Sequence, residues 1–288
     1  MADAVGDSSS ELLARFGEWY DGFRFAAGAE RVFNPFSTLK ALYSKEFGAF
    51  WAETGTPDLL VRVMARSHIG LGEIDNVWVP RAALATLDPA GIEALPLLLQ
   101  AGYLTIVEAA DQAFRVGFPN REVREGFLTH LLHAEATVPE RQMATRASRL
   151  AGALDQGDLD AAMREMQAVF ANIPYPLDDA TEKRYHSIFQ AILTLACCPP
   201  GGVVGEVPTS VGRADVIADL PRVTWVFELK RDAGTSAALR QADAGGYAGL
   251  WRGRTGSDDV GKPVRVVAVT FGSRERNITE WAEALPTT

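Results

Sequence analysis

The sequence predicts an α+β protein of two domains, a mostly helical N-terminal domain and a C-terminal mixed β-sheet flanked by helices. Its 288 residues suit two domains of ordinary size. Patterns typical of helices dominate the first 172 residues, and short β-branched runs split by turn residues follow. Ile173-Pro174-Tyr175-Pro176 marks the boundary, because two prolines cannot continue a helix. We therefore expect a disordered N-terminus over 1–10 and domains over 11–172 and 173–288.

The N-terminal domain is predicted to consist of helices with short strands between them. Asn34-Pro35 and Asn120 are helix-start signals, since Asn caps a helix and Pro suits its first turn. Its helix–hairpin–helix order resembles a winged-helix arrangement. Helices are predicted at 11–20, 38–47, 57–65, 90–101, 120–132 and within 144–172 with a break at Gly157-Asp158, and strands at 23–25, 31–33, 103–107 and 113–116.

The C-terminal domain is predicted to be a mixed sheet covered by helices. Turn signals at 210–212 and at Pro221-Arg222 separate three short apolar runs that read as antiparallel strands. The order helix, three strands, helix, strand, helix favours such a layered arrangement. The predicted helices are 181–197, 236–251 and 278–285, and the predicted strands are 203–209, 213–220, 223–230 and 264–271.

Composition and charge exclude several classes of function. The chain is 47% hydrophobic and 23% charged, as in globular proteins, and no apolar run approaches the roughly 18 residues that a membrane span needs. The polar N-terminus is no signal peptide, and the adjacent Cys197 and Cys198 fit buried thiols in a reducing cytoplasm. No Cys/His spacing indicates a zinc site.

The formal net charge of −9 is distributed unevenly. Residues from Pro174 onward carry 13 basic and 14 acidic side chains, whereas the preceding residues carry 15 basic and 23 acidic ones. Nucleic-acid affinity depends mainly on neutralising phosphates with Lys and Arg. The N-terminal half is therefore a poor candidate for a DNA-binding surface, while the C-terminal half can carry a local basic patch.

Three charged side chains on neighbouring predicted strands suggest a site. Glu228 and Lys230 lie two residues apart, so both point to the same face of a strand and Leu229 points to the other. Asp215 opens the preceding strand and can meet them across the hairpin. Two carboxylates with an ammonium suit a hard cation acting on a phosphate. The alternative for a Glu-x-Lys pair is an ordinary solvated face.

The helix before these strands offers further candidates. Glu182, His186 and Gln190 share one helical face, because they are spaced four residues apart. Glu182 can supply another metal carboxylate, or it can simply interact with the positive end of its helix. His186 is either a catalytic base or a structural hydrogen-bonding histidine.

These residues carry a resemblance to a known family. The C-terminal half resembles the PD-(D/E)XK nuclease superfamily, and almost the whole chain, from about residue 12 to about 285, resembles bacterial proteins that join an AAA-ATPase-like region to such a nuclease domain. The matching segments are Tyr20-Asp21-Gly22-Phe23-Arg24-Phe25, Asn34-Pro35-Phe36-Ser37, Trp51-Ala52-Glu53-Thr54-Gly55, Gly102-Tyr103-Leu104, Phe118-Pro119-Asn120-Arg121-Glu122-Val123-Arg124, Glu182 with Tyr185-His186, Gly205-Glu206, Gly212-Arg213-Ala214-Asp215, Phe227-Glu228-Leu229-Lys230, and Gln241 with Tyr247.

The resemblance implies a restriction-endonuclease-like C-terminal fold and a role for each residue. Asp215 and Glu228 would bind Mg²⁺ or Mn²⁺, Lys230 would be the catalytic lysine, and Glu182 would join the metal site. The supporting residues would be Gln241, Tyr247, Arg213 and His186, with Glu206 a weaker candidate. Members often carry a basic residue two positions before the tyrosine, where this chain has Gly245.

The upstream P-loop ATPase core of that family has no counterpart here, so residues 11–172 would be an AAA-ATPase-like remnant or adaptor. The string 256–263 has Walker-like spacing up to Lys262, but Pro263 replaces the Ser or Thr that would hold Mg²⁺. We expect no ATPase activity.

The function expected from the sequence is a Mg²⁺-dependent, cytoplasmic nuclease that acts on nucleic acid, with DNA favoured over RNA. The N-terminal domain would dock a partner protein or orient the substrate, oligomers are possible, and no membrane is involved. One alternative is an inactive nuclease-fold module that acts by binding protein or nucleic acid. Another is a truncated product of a mobile element with no independent role.

Overall fold

The computed structural model describes residues 9–24, 26–51, 71–85, 94–135, 140–173, 182–197, 203–208, 213–236 and 262–284. The chain divides into two compact units, Met1–Leu131 and Leu132–Thr288. Both contain helices and a sheet, so the predicted α+β class is confirmed. Among the described helices, none combines the length and the apolar character that crossing a membrane requires.

The N-terminal unit combines helices with a small antiparallel sheet. The sheet has the order β1-β3-β2, so the β2–β3 hairpin is the predicted one and β1 adds a strand that the sequence pattern did not indicate. Phe23 and Val32 form an isolated bridge between the two predicted strand-like pieces. The elements are α1 Ser9–Tyr20, α2 Pro35–Ser44, β1 Val77–Pro80, α3 Arg81–Ala85, α4 Ala94–Gln100, β2 Thr105–Ala109, β3 Ala113–Gly117 and α5 Arg121–Glu135.

Helix starts in this unit follow the predicted caps. Asn34 Oδ1 accepts hydrogen bonds from the backbone N–H groups of Phe36 (3.1 Å) and Ser37 (3.3 Å), so α2 begins at Pro35, three residues before the predicted start. Asn120 Oδ1 caps α5 by accepting from Val123 N at 3.0 Å, as predicted. α1 begins at Ser9, inside the segment predicted to be disordered. The predicted helix 57–65 lies outside the described residues.

A buried carboxylate joins three sequence motifs of the N-terminal unit. Glu122, in the first turn of α5, is fully buried. Its Oε1 accepts from Ser37 Oγ at 2.5 Å and from Trp51 N at 2.7 Å, and its Oε2 accepts from Asn34 Nδ2 at 3.4 Å. All three contacts are donations to the carboxylate, which is what a buried ionised group needs. The motifs around Asn34, Trp51 and Glu122 therefore have a structural role in this unit.

Replacing Glu122 by Ala should destabilise the N-terminal unit by about 3 kcal/mol or more, because buried donors on Ser37 and Trp51 would lose their acceptor. Glu108→Ala is the matched control, since it removes an exposed pair with Arg115 and should cost less than about 1 kcal/mol. Urea titration followed by hydrogen exchange of peptides from this unit measures both. Equal effects of the two substitutions would show that the Glu122 network contributes little.

The C-terminal unit is a five-stranded sheet with helices packed on it. The strand order is β4-β5-β6-β7-β8, antiparallel except for the parallel β6–β7 pair, which confirms the predicted mixed sheet. The central strands β6 and β7 are almost entirely buried. The elements are α6 Glu140–Asp155, α7 Leu159–Phe170, α8 Glu182–Ala196, β4 Val203–Pro208, β5 Arg213–Asp219, β6 Thr224–Arg231, β7 Val264–Gly272 and β8 Asn277–Glu283.

Helix α8 packs on the sheet through aromatic and small-residue contacts. The Phe189 ring meets Phe227 of β6 edge-on, with ring centroids 5.2 Å apart. At Gly205 of β4 an added Cβ would collide with the amide end of the Gln190 side chain, which would have to move aside. Cys197 is buried just after α8, and burial raises the pKa of its thiol to about 12, which keeps it protonated and unreactive. Cys198 lies outside the described residues.

The helices α6 and α7 belong to the same unit as the large sheet, although the sequence predicts a domain boundary after them. Trp225 Nε1 of β6 donates to the carbonyl of Leu154 at 3.1 Å. Arg265 of β7 donates to the carbonyl of Gly157 at 2.6 Å, lies over the Trp225 ring and pairs with Glu283. These contacts cross the predicted boundary at 172/173, so the compact unit begins about 40 residues earlier. The two prolines end a helix and do not separate two cores.

The last predicted helix, 278–285, is a strand in the structure. β8 pairs antiparallel with β7, with Val269 opposite Trp281 and Phe271 opposite Ile278. The chain reverses through a turn that ends at Arg276, whose φ is 52°. Pairing with β7 buries Ile278, and this outweighs the helix-like charge pattern of the segment. The predicted helix 236–251 lies outside the described residues beyond Ser236.

Candidate active site

The β6 strand places Glu228 and Lys230 on one face of the sheet, as their spacing predicts. Lys230 Nζ lies 3.0 Å from Glu228 Oε1. The Glu228 side chain is completely buried, whereas 23% of the Lys230 side chain is exposed to solvent. Despite the short distance, neither oxygen of Glu228 has a hydrogen-bond partner of acceptable geometry among the described residues. The pair is therefore a close ion pair with poor hydrogen-bond geometry, and Oε2 of the buried carboxylate accepts no hydrogen bond from the described residues.

Asp215 meets β6 across the hairpin. The pairing of β5 with β6 ends at Val216 opposite Phe227. Beyond this point, Asp215 Oδ2 accepts the backbone N–H of Leu229 at 2.8 Å. The carboxylate takes a donor that a strand carbonyl would otherwise take, and this fixes its position between the two strands. Asp215 thus lies next to the Glu228–Lys230 pair.

Helix α8 brings Glu182 and His186 to the same region. His186 Nε2 lies 3.2 Å from the carbonyl oxygen of Leu229, and because that oxygen can only accept, Nε2 carries the proton. Its Nδ1 is 4.0 Å from Asp215 Oδ1, and its Nε2 is 3.9 Å from Glu182 Oε1. The Glu182 side chain is 47% exposed, so it lies at the rim of the site. His186 holds the backbone between Glu228 and Lys230.

The electrostatics of the site centre on Glu228. The pKa of its carboxyl is raised from an ordinary value of 4.5 to about 7, mainly by burial and then by the negative charge of Asp215, although contact with Lys230 opposes the rise. Burial lowers the pKa of Lys230, but Glu228, Asp215 and Glu182 outweigh this and raise it overall. The lysine is therefore a permanent cation, and Glu228 changes charge near neutral pH.

The described residues fit a hard divalent cation that keeps most of its own water. Asp215 and Glu228 carry carboxylate oxygens of the kind such a cation prefers, and Glu228 lies inside the protein with Lys230 as its single charged contact of opposite sign among the described residues. Mg²⁺ is typically bound by one or two carboxylates with several waters. Within the described part of the chain, no group of three or more His, Cys, Asp or Glu side chains is arranged to hold a metal. That Glu182 joins a metal site stays a prediction.

The other predicted site residues are placed only in part. Arg213 is the first residue of β5 and pairs in register with Pro208, and Glu206 lies within β4. Gln241 and Tyr247 lie outside the described residues, as do Gly245 and most of the Walker-like string. Lys262, the one basic residue of that string, pairs with Asp219 at 2.5 Å just before β7.

Comparison with known proteins finds a distant relative whose activity is not described. No family model matches the chain, and no solved structure matches it. The chain is 29% identical over 268 residues to a protein of Azotobacter chroococcum described as an uncharacterized protein in the vnfD 5′ region. The alignment covers 90% of this chain and 50% of that protein, so the chain spans about half of the relative's length.

The sequence patterns did not single out a second set of charges, which lies around Tyr185 of α8. Arg184 precedes Tyr185 on α8, Arg231 directly follows Lys230, and Arg276 lies in the β7–β8 turn. All three act electrostatically on the buried Tyr185 hydroxyl. In the sequence, two of these arginines directly follow a lysine, in Lys183-Arg184 and in Lys230-Arg231. Each of these pairs lies close in sequence to a candidate site residue. Their proximity depends on the sheet register, which the sequence does not show.

Glu228→Gln should remove a pH-dependent loss of stability from the metal-free protein. Between about pH 4.5 and 7 the unfolded carboxyl is ionised while the folded one still holds its proton, so the stability present below pH 4.5 is lost as the pH rises through about 7. The full loss is about 3 kcal/mol, from the size of the pKa change.

In EDTA, the free energy of unfolding of the Gln variant should therefore exceed that of the wild type by up to about 3 kcal/mol at about pH 8, and the difference should vanish towards about pH 4.5. Urea unfolding over this pH range measures the difference. Parallel pH profiles for the two proteins would contradict the assignment of the raised pKa to Glu228.

Proposed function

We propose that this chain is a nuclease that hydrolyses phosphodiester bonds in nucleic acid, DNA before RNA, with Mg²⁺ or Mn²⁺ as cofactor. The observation that carries the proposal is the fully buried Glu228, which lies next to Asp215, contacts Lys230 through Oε1 alone and has a pKa raised to about 7. A buried acid with so few polar partners is costly to maintain and is typical of functional sites. The mixed sheet, with the acid-bearing hairpin β5–β6 beside the parallel strand β7, is consistent with a restriction-endonuclease-like domain.

Asp215 and Glu228 would hold the cation. When bound, such a cation lowers the pKa of a coordinated water and neutralises charge on the phosphoryl oxygens. Asp215 is oriented before binding, because the Leu229 N–H fixes one of its oxygens. Glu228 would give up its proton when a cation binds, since its pKa of about 7 is raised mainly by burial and then by the negative charge of Asp215, and a bound positive charge opposes both effects.

Lys230 is positioned to act on the reacting groups. Its ammonium keeps one contact to Glu228 and has donors to spare, because –NH₃⁺ carries three protons. A spare donor can orient the attacking water or stabilise negative charge on the phosphate in the transition state. His186 contributes by holding the Leu229 carbonyl, which keeps the backbone between the two functional side chains in place.

The N-terminal unit would serve as an adaptor. The resemblance in sequence to AAA-ATPase-like regions and the acidic balance of this half favour docking of a partner protein over contact with nucleic acid. The hydrogen bonds to the buried Glu122 carboxylate stabilise the fold of this unit, which such a role requires.

The test is cleavage of labelled single-stranded, duplex and branched DNA and of RNA, with Mg²⁺, Mn²⁺, Ca²⁺ or EDTA, by wild-type protein and by Asp215→Asn. The proposal predicts cleavage of at least one DNA substrate with Mg²⁺ or Mn²⁺, none in EDTA, and none by the variant. Cleavage that persists in the variant would indicate a contaminating nuclease. A folded protein that cleaves no substrate would favour the alternative of a non-catalytic binding module.

A further inference from the structure

We infer that the exposed face of helix α2, formed by Phe36, Leu39, Leu42 and Tyr43, is a dimerisation surface on which a second copy of this chain docks. Of the eight large apolar side chains that are exposed in the described part of the chain, six lie between residues 32 and 43. The contact belongs to the N-terminal unit, so it is independent of the nuclease activity proposed above.

Helix α2 turns its small side chains inward and its large apolar ones outward. Ser37 and Ala41 are buried, the first as a donor to Glu122 and the second in the aromatic cluster beneath the helix. The exposed fractions on the other side are 48% for Phe36, 66% for Leu39, 56% for Leu42 and 93% for Tyr43. At about 100° per residue these four share an arc of about 120°. A surface helix of a monomer typically has the opposite arrangement, so we expect a partner to cover this face.

The exposed face of α2 has no charge at its centre. Lys40 is the one charged residue of the helix, and its Nζ lies 4.5 Å from the centroid of the Phe50 ring. Phe50 belongs to the buried cluster beneath α2, so the ammonium is directed away from the exposed arc. Charged residues are depleted from the centres of protein interfaces, and homodimer interfaces are more apolar than others.

The exposed apolar area is sufficient for a dimer. An aromatic side chain has roughly 150–250 Å² of surface, so the four exposed side chains of α2 leave on the order of 500 Å² in solvent. Val32 and Phe33, next to the N-cap of α2, are also exposed and bring the total to roughly 700 Å². Such a patch is large for a monomer. Two copies would bury roughly 1,400 Å² together, within the range of about 1,200–2,000 Å² for stable interfaces.

The charges at the two ends of the face match a second copy. Glu30 and Arg31 precede the face, Lys45 and Glu46 follow it, and all four are exposed. A two-fold axis through the middle of the face pairs the helices antiparallel, so each end of one face meets the other end of its counterpart. Glu30 then faces Lys45 of the second copy and Arg31 faces Glu46, which places opposite charges together at both ends. Leu39, in the middle of α2, meets its own counterpart at the axis.

The first experiment measures sedimentation velocity of the whole 288-residue chain over a wide range of concentration. Wild type should change from monomer to dimer as the concentration rises. Leu39→Gln with Tyr43→Gln should raise the dissociation constant of the dimer by about 100-fold or more, because it removes the two most exposed side chains of the face. Trp78→Gln is the control, since it removes an exposed aromatic ring of the same unit outside the face, and it should change the constant by less than about threefold.

The second experiment tests the identity and orientation of the partner by disulfide formation. Leu39→Cys should form a covalent dimer under mild oxidation, because residue 39 meets its counterpart at the axis and a disulfide requires such closeness. Trp78→Cys should stay largely uncrosslinked under the same conditions. Wild type reports any contribution of the native Cys197 and Cys198.

A wild type that is monomeric at every concentration would overturn the inference and assign the face to a different partner. A dimer that the double variant weakens no more than Trp78→Gln would overturn it too, since another surface would then join the copies. A dimer that is weakened by the double variant but not cross-linked through residue 39 would overturn the antiparallel pairing. None of these outcomes depends on cleavage of DNA, so the dimer and the proposed nuclease activity can fail separately.

Discussion

Lys230→Met should reduce the rate of DNA hydrolysis by about 10²- to 10³-fold, while the protein still binds its divalent cation. The side chain is half-buried next to Glu228 and is no metal ligand, so its loss removes a donor to the reacting groups and leaves the carboxylates in place. Because the missing contact is stronger in the transition state than in the bound substrate, kcat should fall with little change in KM. Single-turnover cleavage with Mn²⁺ measures the chemical step directly.

Lys262→Met is the matched control for this prediction. Lys262 is also a lysine in a half-buried ion pair, with Asp219 at 2.5 Å, but it lies just before β7, at the opposite end of the sheet from Lys230. Its substitution should leave the cleavage rate within about threefold of wild type, because the ion pair it removes contacts no site residue in the part of the chain that the structure describes. Similar losses in both variants would show that ion pairs within the sheet control activity through stability, and that Lys230 has no special chemical role.

The second large effect concerns where the C-terminal domain begins. A fragment of residues 173–288 should fail to fold, whereas a fragment of residues 132–288 should fold, because α6 and α7 supply part of the core. Phe170 is buried and its ring lies 5.1 Å from Phe271. Met163 and Met166 are fully buried in the same unit. Removing several such side chains costs about 1.5–3 kcal/mol each, which together approaches the whole stability of a domain.

The polar contacts of α6 and α7 with the sheet also predict that the fragment 173–288 fails to fold. Without α6 and α7, the Trp225 indole N–H loses the carbonyl of Leu154, and Arg265 loses the carbonyl of Gly157. On β8, Trp281 loses its hydrogen bond to Asp160. Near-UV circular dichroism and amide proton dispersion distinguish a packed from an unpacked fragment. A cooperative thermal transition for 173–288 equal to that of 132–288 would contradict the earlier start of the domain.

The parts of the fold that local signals specify were predictable. β5 and β6 follow from β-branched runs with turn residues between them, and α2 and α5 follow from their Asn caps. The shared face of Glu228 and Lys230 follows from the two-residue period of a strand alone. These features depend on residues close in sequence, which is why a single sequence contains them.

Features that depend on distant partners were predicted wrongly or were missed. The segment around Ile278 has the charges of an amphipathic helix, but pairing with β7 makes it a strand. Phe170 precedes two prolines that resemble a domain boundary, yet its ring packs on Phe271, about 100 residues later. The neighbourhood of Arg184, Arg231 and Arg276 arises from sheet register and from ring stacking, neither of which local sequence encodes.

The most direct measurement is calorimetric titration of the EDTA-free protein with Mn²⁺, for wild type, Asp215→Asn and Glu228→Gln. Wild type should bind the ion and release protons as it does so, because Glu228 has a pKa of about 7 and must ionise to become a ligand. Binding should be lost or weakened by about tenfold or more in both variants, each of which removes one of the two carboxylate ligands. Absence of Mn²⁺ binding by folded wild type, or equal binding by all three proteins, would contradict a metal centre at Asp215 and Glu228.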